Sequence, residues 1–138
     1  MYDDLSSMHV PPPHEIPHYH GDAVRALFVV AAVLIFVGAA MSAALPLPAL
    51  GAIAFAVILV LAAGVTNPAT GWIHWANACL ALVSSLLFGY TAVATYRTGG
   101  VLADPTSFIF TLALALVSLM ALYLATRTIR GMLLRASS

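Results

Sequence analysis

The sequence predicts an all-α polytopic membrane protein, a four-helix up-down-up-down transmembrane bundle behind a disordered N-terminal tail. Three observations carry that expectation. Four long stretches, residues 23–45, 47–66, 71–96 and 105–126, are almost purely apolar and contain no acidic residue. Each is close to the roughly 20 helical residues that cross about 30 Å of hydrocarbon. The chain is 62% hydrophobic and 7% charged, against about 25% charged in an ordinary soluble domain. Mean hydropathy is +1.02, so lipid rather than water has to solvate the outer surface. The expected units are a polar His- and Pro-rich tail (residues 1–22), the transmembrane domain (23–126) and a basic juxtamembrane segment (127–138).

In the tail, Pro11-Pro12-Pro13 and Pro17 forbid a continuous helix and favour extended, polyproline-like chain. Asp22 stands where the N-cap of the first span belongs. Ser42-Ala43-Ala44 resembles a signal-peptide cleavage site, but the segment ahead of the apolar run carries Asp3, Asp4, Glu15 and Asp22 rather than a basic cluster. The run also exceeds the about 7–15 residues of a signal core, so the first span is expected to be retained. Leu45-Pro46-Leu47-Pro48 ends that span and opens the second, because proline is accepted only in a helix's first turn. Asn67-Pro68 and Asp104-Pro105 each pair a capping residue with proline at the first helical position. Gly99-Gly100 stops the third helix. Such short connections make consecutive helices antiparallel neighbours.

Arginine sets the orientation. Four spans put both termini on one side, which holds Arg25, Arg127, Arg130 and Arg135, against Arg97 alone on the other. The positive-inside rule then places both termini in the cytoplasm, as a multi-pass protein of the cell inner membrane. Trp72 and Trp75 at one end of the third helix and Tyr96 at the other are the interfacial anchors. They lie about 36 Å apart along the axis, so this helix tilts or protrudes. After the fourth span, Arg127, Arg130 and Arg135 alternate with Ile129, Met132, Leu133 and Leu134. That is a helix end suited to an anionic leaflet.

Polar side chains concentrate on the third helix. Steps of three and four residues give His74, Asn77, Ala81, Ser84, Phe88, Thr91 and Thr95 on one face. The fourth helix offers Thr111 and Ser118, with Ala115 and Ala125 beside them. Polar groups facing lipid are costly, so the two faces are expected to meet inside the bundle. The seam lines either a path for a small ligand or a packed interface. Interhelical hydrogen bonds are common in membrane bundles and average about 0.6 kcal/mol, which favours packing. No carboxylate lies between Asp22 and Asp104, which argues against a proton- or cation-coupled transporter. His74 reads as an interfacial histidine rather than a pH switch. Cys79, the single cysteine, points about 140° away from it, so the two form no nucleophile–base pair.

His9, His14, His18 and His20 are weak metal-ligand candidates. Pro17 keeps His14 and His18 off a shared helical face, and the spacings match no closed structural site, so neither metal nor cofactor is expected. Gly38-xxx-Ser42 and Ala39-xxx-Ala43, with Gly51, Ala52, Ala56, Ala62, Ala63 and Gly64 in the second span, let helix backbones approach closely. They serve packing within the chain or a homo-oligomeric interface.

Trp75-Ala76-Asn77, followed by apolar residues and Phe88-Gly89-Tyr90, is similar to the opening of an SPW repeat, a bacterial membrane module of two helices per copy. The Ser-Pro-Trp signature is itself absent, and the first helix pair has no Trp-x-Asn. The resemblance implies a paired-helix membrane protein and no particular activity. No nucleophile, paired carboxylates or metal cluster marks the end of a span, and no basic stripe suits nucleic acid. The expected function is therefore non-enzymatic, a structural or interaction subunit whose partners are the lipid bilayer and a second copy or a larger membrane complex. The alternative is a small channel or transporter using the third-helix seam.

Overall fold

The computed structural model describes residues 20–65 and 71–136, with side chains through Leu134. Five helices account for nearly all of them: α1 (Gly21–Ala40), α2 (Ala49–Val65), α3 (Gly71–Arg97), the single turn α4 (Gly100–Ala103) and α5 (Pro105–Ala136). No strand occurs among the described residues. By length and apolarity three helices can cross a bilayer: α1 with 20 residues, α3 with 27 and Pro105–Leu134 of α5 with 30. The second helix is equally apolar but has 17 residues.

Local chemistry explains the helix ends, and in several places differs from the sequence expectation. The N-cap of α1 is His20, without a side-chain capping bond, and Asp22 sits in the first turn. There it pairs with Arg25 at 3.6 Å, as an acid near a helix N-terminus should. The C-terminus of α1 comes at Ala40, ahead of the prolines. Ser42 takes the left-handed conformation at φ 58°. Ala43 N–H donates to Gly38 O at 2.8 Å and Ser42 N–H to Ala39 O at 3.1 Å. This pair of bonds is a Schellman motif, which closes a helix without help from proline. Ser42 thus lies outside the helix rather than on a small-residue face.

Pro48 precedes α2 and accepts its first bond, from Ala52 N–H at 2.9 Å. Asn67-Pro68 lies outside the described residues. Gly99, at φ 74°, follows the end of α3 and needs glycine's freedom there. Asp104 caps α5 as expected: Ser107 N–H donates to its Oδ1 at 3.0 Å, with Pro105 as the first helical residue. No break separates residues 105–126 from the basic segment; α5 runs on to Ala136.

Burial follows a three–four spacing on every long helix. On α5 the stripe is Ser107, Thr111, Leu114, Ser118, Ala121, Ala125 and Thr128; on α1 it is Val24, Phe28, Ala31, Ile35 and Gly38. The same steps give Ala52, Ala56, Leu59 and Ala63 on α2. This is the pattern of helices packed at shallow angles of about 20°. Extensive pairings join α1 to α2, α1 to α5, and α3 to α5.

Two bonds orient the set. His20 N–H reaches Thr128 Oγ1 at 3.4 Å, and Ala44 N–H reaches Ser107 Oγ at 2.6 Å, so α1 and α5 run antiparallel. The α1–α2 turn and the α3–α5 connection therefore share one end of the bundle. His20 and Thr128 mark the other end.

Contrary to the short-loop argument, α2 and α3 form no comparable pairing. Each spends its small-residue face on another partner, α2 on α1 and α3 on α5. Bulky side chains are left between them, bridged by the edge contact of Phe55 and Phe88, whose ring centroids are 6.1 Å apart. A groove of about 420 Å³ remains there.

Candidate functional site

The polar face of α3 is turned inward. His74, Asn77, Ala81, Ser84 and Phe88 are buried, whereas Thr91 and Thr95 are half-buried. On α5, Thr111, Ser118 and Ala125 are buried and Ala115 is half-buried. Two further buried hydroxyls, Ser107 and Thr128, extend the stripe at its ends. Steps of four and three outward from Thr111 reach both, a signal that pairing Thr111 with Ser118 alone overlooks. The inward face of α3 is turned toward α5, with which it forms the most extensive helix pair, whereas Ser107 and Thr128 accept bonds from the α1–α2 turn and from the start of α1.

The hydroxyls along the seam are largely committed to their own helices. Ser84 donates to Leu80 O at 2.7 Å and Thr91 to Leu87 O at 2.9 Å. Thr111 donates to Ser107 O at 2.8 Å, and Thr128 to Leu124 O at 3.0 Å. Such bonds satisfy the proton of a hydroxyl in an apolar setting and leave only oxygen lone pairs for anything else. Between Ser84 and Thr91 the ring of Phe88, 1% exposed, fills the face.

Asn77 is the seam residue that also borders open space. With Leu61 and Val65 of α2 and Trp72, Ala76 and Leu80 of α3, it lines the α2–α3 groove. The groove is otherwise almost wholly apolar. None of Ser84, Thr91, Thr111 and Ser118 lines it. His74 is buried beside Asn77, one turn earlier.

The anchors face outward. Trp72, Trp75 and Tyr96 are exposed, with Tyr96 tilted against Phe108 at a centroid distance of 6.5 Å. Arg127 and Arg130 are exposed as well, while the Arg135 side chain lies outside the described residues. Cys79 is exposed, away from the inward face.

The metal candidates His9, His14 and His18 also fall outside the described residues. His20 is described: its ring Nε2 is enclosed and finds no hydrogen-bond partner among the described residues. No group of three or more His, Cys, Asp or Glu side chains suited to a metal occurs among them. At the opposite end, Ser107 donates to Asp104 through its hydroxyl and its backbone N–H, and these bonds, in that order, hold the carboxyl below its ordinary value of 3.8.

No protein-family model, curated protein or solved structure matches the chain.

Proposed function

We propose that this chain is a non-enzymatic, multi-pass protein of the cell inner membrane, working as a structural or interaction subunit in a homo-oligomer or a larger membrane complex. The observation that carries this reading is the filling of the α3 polar face by Phe88, flanked by the Ser84 and Thr91 hydroxyls that bond to their own helix. A face of that kind holds helices together, and its Ser84 and Thr91 hydroxyls have no proton left for a solute.

Four crossings follow from the same reading. The α1–α2 turn lies beside the start of α5, so α2 has to return across the thickness that α1 has just spanned. Its 17 residues extend about 26 Å, within the range a tilt-free crossing needs. Arg25, Arg127 and Arg130 share the terminal end, which becomes the cytoplasmic face by the positive-inside rule. The test is purification in a mild detergent with mass determination by light scattering. An oligomer or a stoichiometric co-purifying subunit is expected. A monodisperse monomer without a partner would overturn the proposal.

One observation favours a second reading. Asn77 belongs both to the inward face of α3 and to the α2–α3 groove, the arrangement a small channel or transporter would use to present a polar group. Flux into liposomes that disappears in Asn77→Ala would support it, and tight wild-type liposomes would remove it.

A further inference from the structure

The outward face of α5 carries a second stripe at the same spacing as its buried one. Leu116, Met120, Tyr123, Arg127, Arg130 and Leu134 follow one another in steps of four and three. The first five each stand two residues beyond a member of the buried stripe, about 200° round the helix. Three depressions run along this line and share residues. An apolar groove of about 580 Å³ is lined by Leu116, Leu119, Met120 and Tyr123. Tyr123 also borders a polar hollow of about 280 Å³ with Arg127 and Arg130. Those two arginines and Leu134 then line a third hollow of about 250 Å³.

Depth gives the line its meaning. From the Asp104 cap to Arg127 the helix rises about 34 Å, slightly more than a hydrocarbon core of about 30 Å. The apolar groove therefore lies at acyl-chain depth, and the two guanidinium groups lie at headgroup depth. Neither guanidinium has an acidic partner among the described residues. Asp22 is taken by Arg25 at 3.6 Å, and Asp104 sits at the other end of the bundle, bonded to Ser107. The Thr126 hydroxyl donates to Leu122 O and Tyr123 O, both at 2.9 Å, so it has no proton for an anion. Donors lining these hollows are the Arg127 and Arg130 forks and the Tyr123 phenol.

We propose that this face of α5 is a binding site for one anionic phospholipid, with its phosphate on Arg127 and Arg130 and an acyl chain in the groove below Tyr123. The guanidinium fork matches phosphate oxygens two at a time, which a zwitterionic headgroup answers less well because its own ammonium competes. The site rests on the helices lying in a bilayer, and goes beyond it in naming the lipid class and its contacts.

The test uses the full chain in nanodiscs of equal parts phosphatidylglycerol and phosphatidylcholine with identical acyl chains. Bound lipid is counted by native mass spectrometry after release into detergent. One retained phosphatidylglycerol per chain is expected, preferred over phosphatidylcholine by about tenfold to thirtyfold, since each arginine near an anionic headgroup contributes about a fivefold preference. Arg127→Gln with Arg130→Gln should abolish the preference, Arg127→Lys with Arg130→Lys should keep part of it, and Arg25→Gln should leave it unchanged. Helix content by circular dichroism shows that each variant is folded. Equal retention of the two lipids, or the same loss in Arg25→Gln, would overturn the site. Alkaline carbonate washing of the source membranes separates the two levels: protein that stays in the membrane yet shows no lipid preference refutes the site alone, and protein that washes off refutes the membrane reading with it.

Discussion

Ala44 N–H donates to Ser107 Oγ at 2.6 Å, so the turn between α1 and α2 is fastened to the first turn of α5. The same Ser107 hydroxyl donates onward to Asp104 Oδ2. A single serine thus joins the α1–α2 turn to the N-cap of α5, and the charge of Asp104 holds the chain of bonds together.

That charge makes this end of the bundle sensitive to acid. The folded-state pKa of Asp104 lies below its ordinary value of 3.8 because Ser107 bonds to the carboxylate. A depressed carboxylate stabilises the fold in full above the unfolded value, and the contribution is lost as pH falls below that value and through the folded one. Thermal midpoints in detergent should therefore drop more steeply for the wild type than for Asp104→Asn across that acidic range. Above it, the wild type should be the more stable, although asparagine remains a good capping residue. Parallel curves for the two proteins would contradict this account.

Gly38 of α1 packs against the Phe110 side chain of α5. A Cβ placed there would stand 3.2 Å from Phe110 Cδ1 and 3.3 Å from its Cγ. Phe110 is half-buried, so its ring has some freedom to yield outward. Alanine should be accepted with a midpoint close to that of the wild type, because the helical preference for alanine over glycine, about 1 kcal/mol, offsets a slight crowding. Leucine cannot be placed without separating the helices, and should cost about 1–3 kcal/mol. Comparing unfolding of the two variants checks the point: a leucine variant as stable as alanine would mean the helices are not held this close.

Ser42 tests the end of α1 separately. Its φ of 58° costs an L-residue roughly 1–2 kcal/mol relative to glycine. Ser42→Gly should accordingly raise stability by about 1 kcal/mol, and Ser42→Val should lower it further, since a β-branched side chain tolerates this conformation least. Stability ranking Val below Ser below Gly is the expected series, measured by thermal unfolding in one detergent.

The elements most legible in the sequence were those with local punctuation. Asp104-Pro105 gives the start of α5, and the paired glycines give the end of α3, because each residue acts on its own backbone. The end of α1 is different. Ser42 occupies a left-handed position that a sequence announces only when glycine fills it, so Pro46 and Pro48, four and six residues on, read as the stop. In the same way, Asp22 looked like a cap, whereas the helix begins a residue before it and draws on Asp22 as a first-turn acid. The inward face of α3 could be read from steps of three and four alone, since such steps return to one side whatever the partner. The open α2–α3 groove could not. Loop length fixes which helices are close in sequence, but the division of small-residue faces between partners decides which pack tightly.

Phe88 decides between a packed seam and a path. Its ring is 1% exposed and meets the edge of Phe55, between Ser84 and Thr91 on the polar face. In a dry, filled interface, Phe88→Ala removes a large apolar group and leaves a void, at a cost of about 3–5 kcal/mol. Phe88→Leu retains most of the volume and should cost about 1 kcal/mol. Around a hydrated path the alanine variant would merely widen a channel already holding water, and the loss would be small. Unfolding midpoints of the wild type and the two variants in the same detergent distinguish the cases. A large loss for alanine with a modest one for leucine is expected; near-equality of all three would mean that water, not hydrocarbon, surrounds this ring.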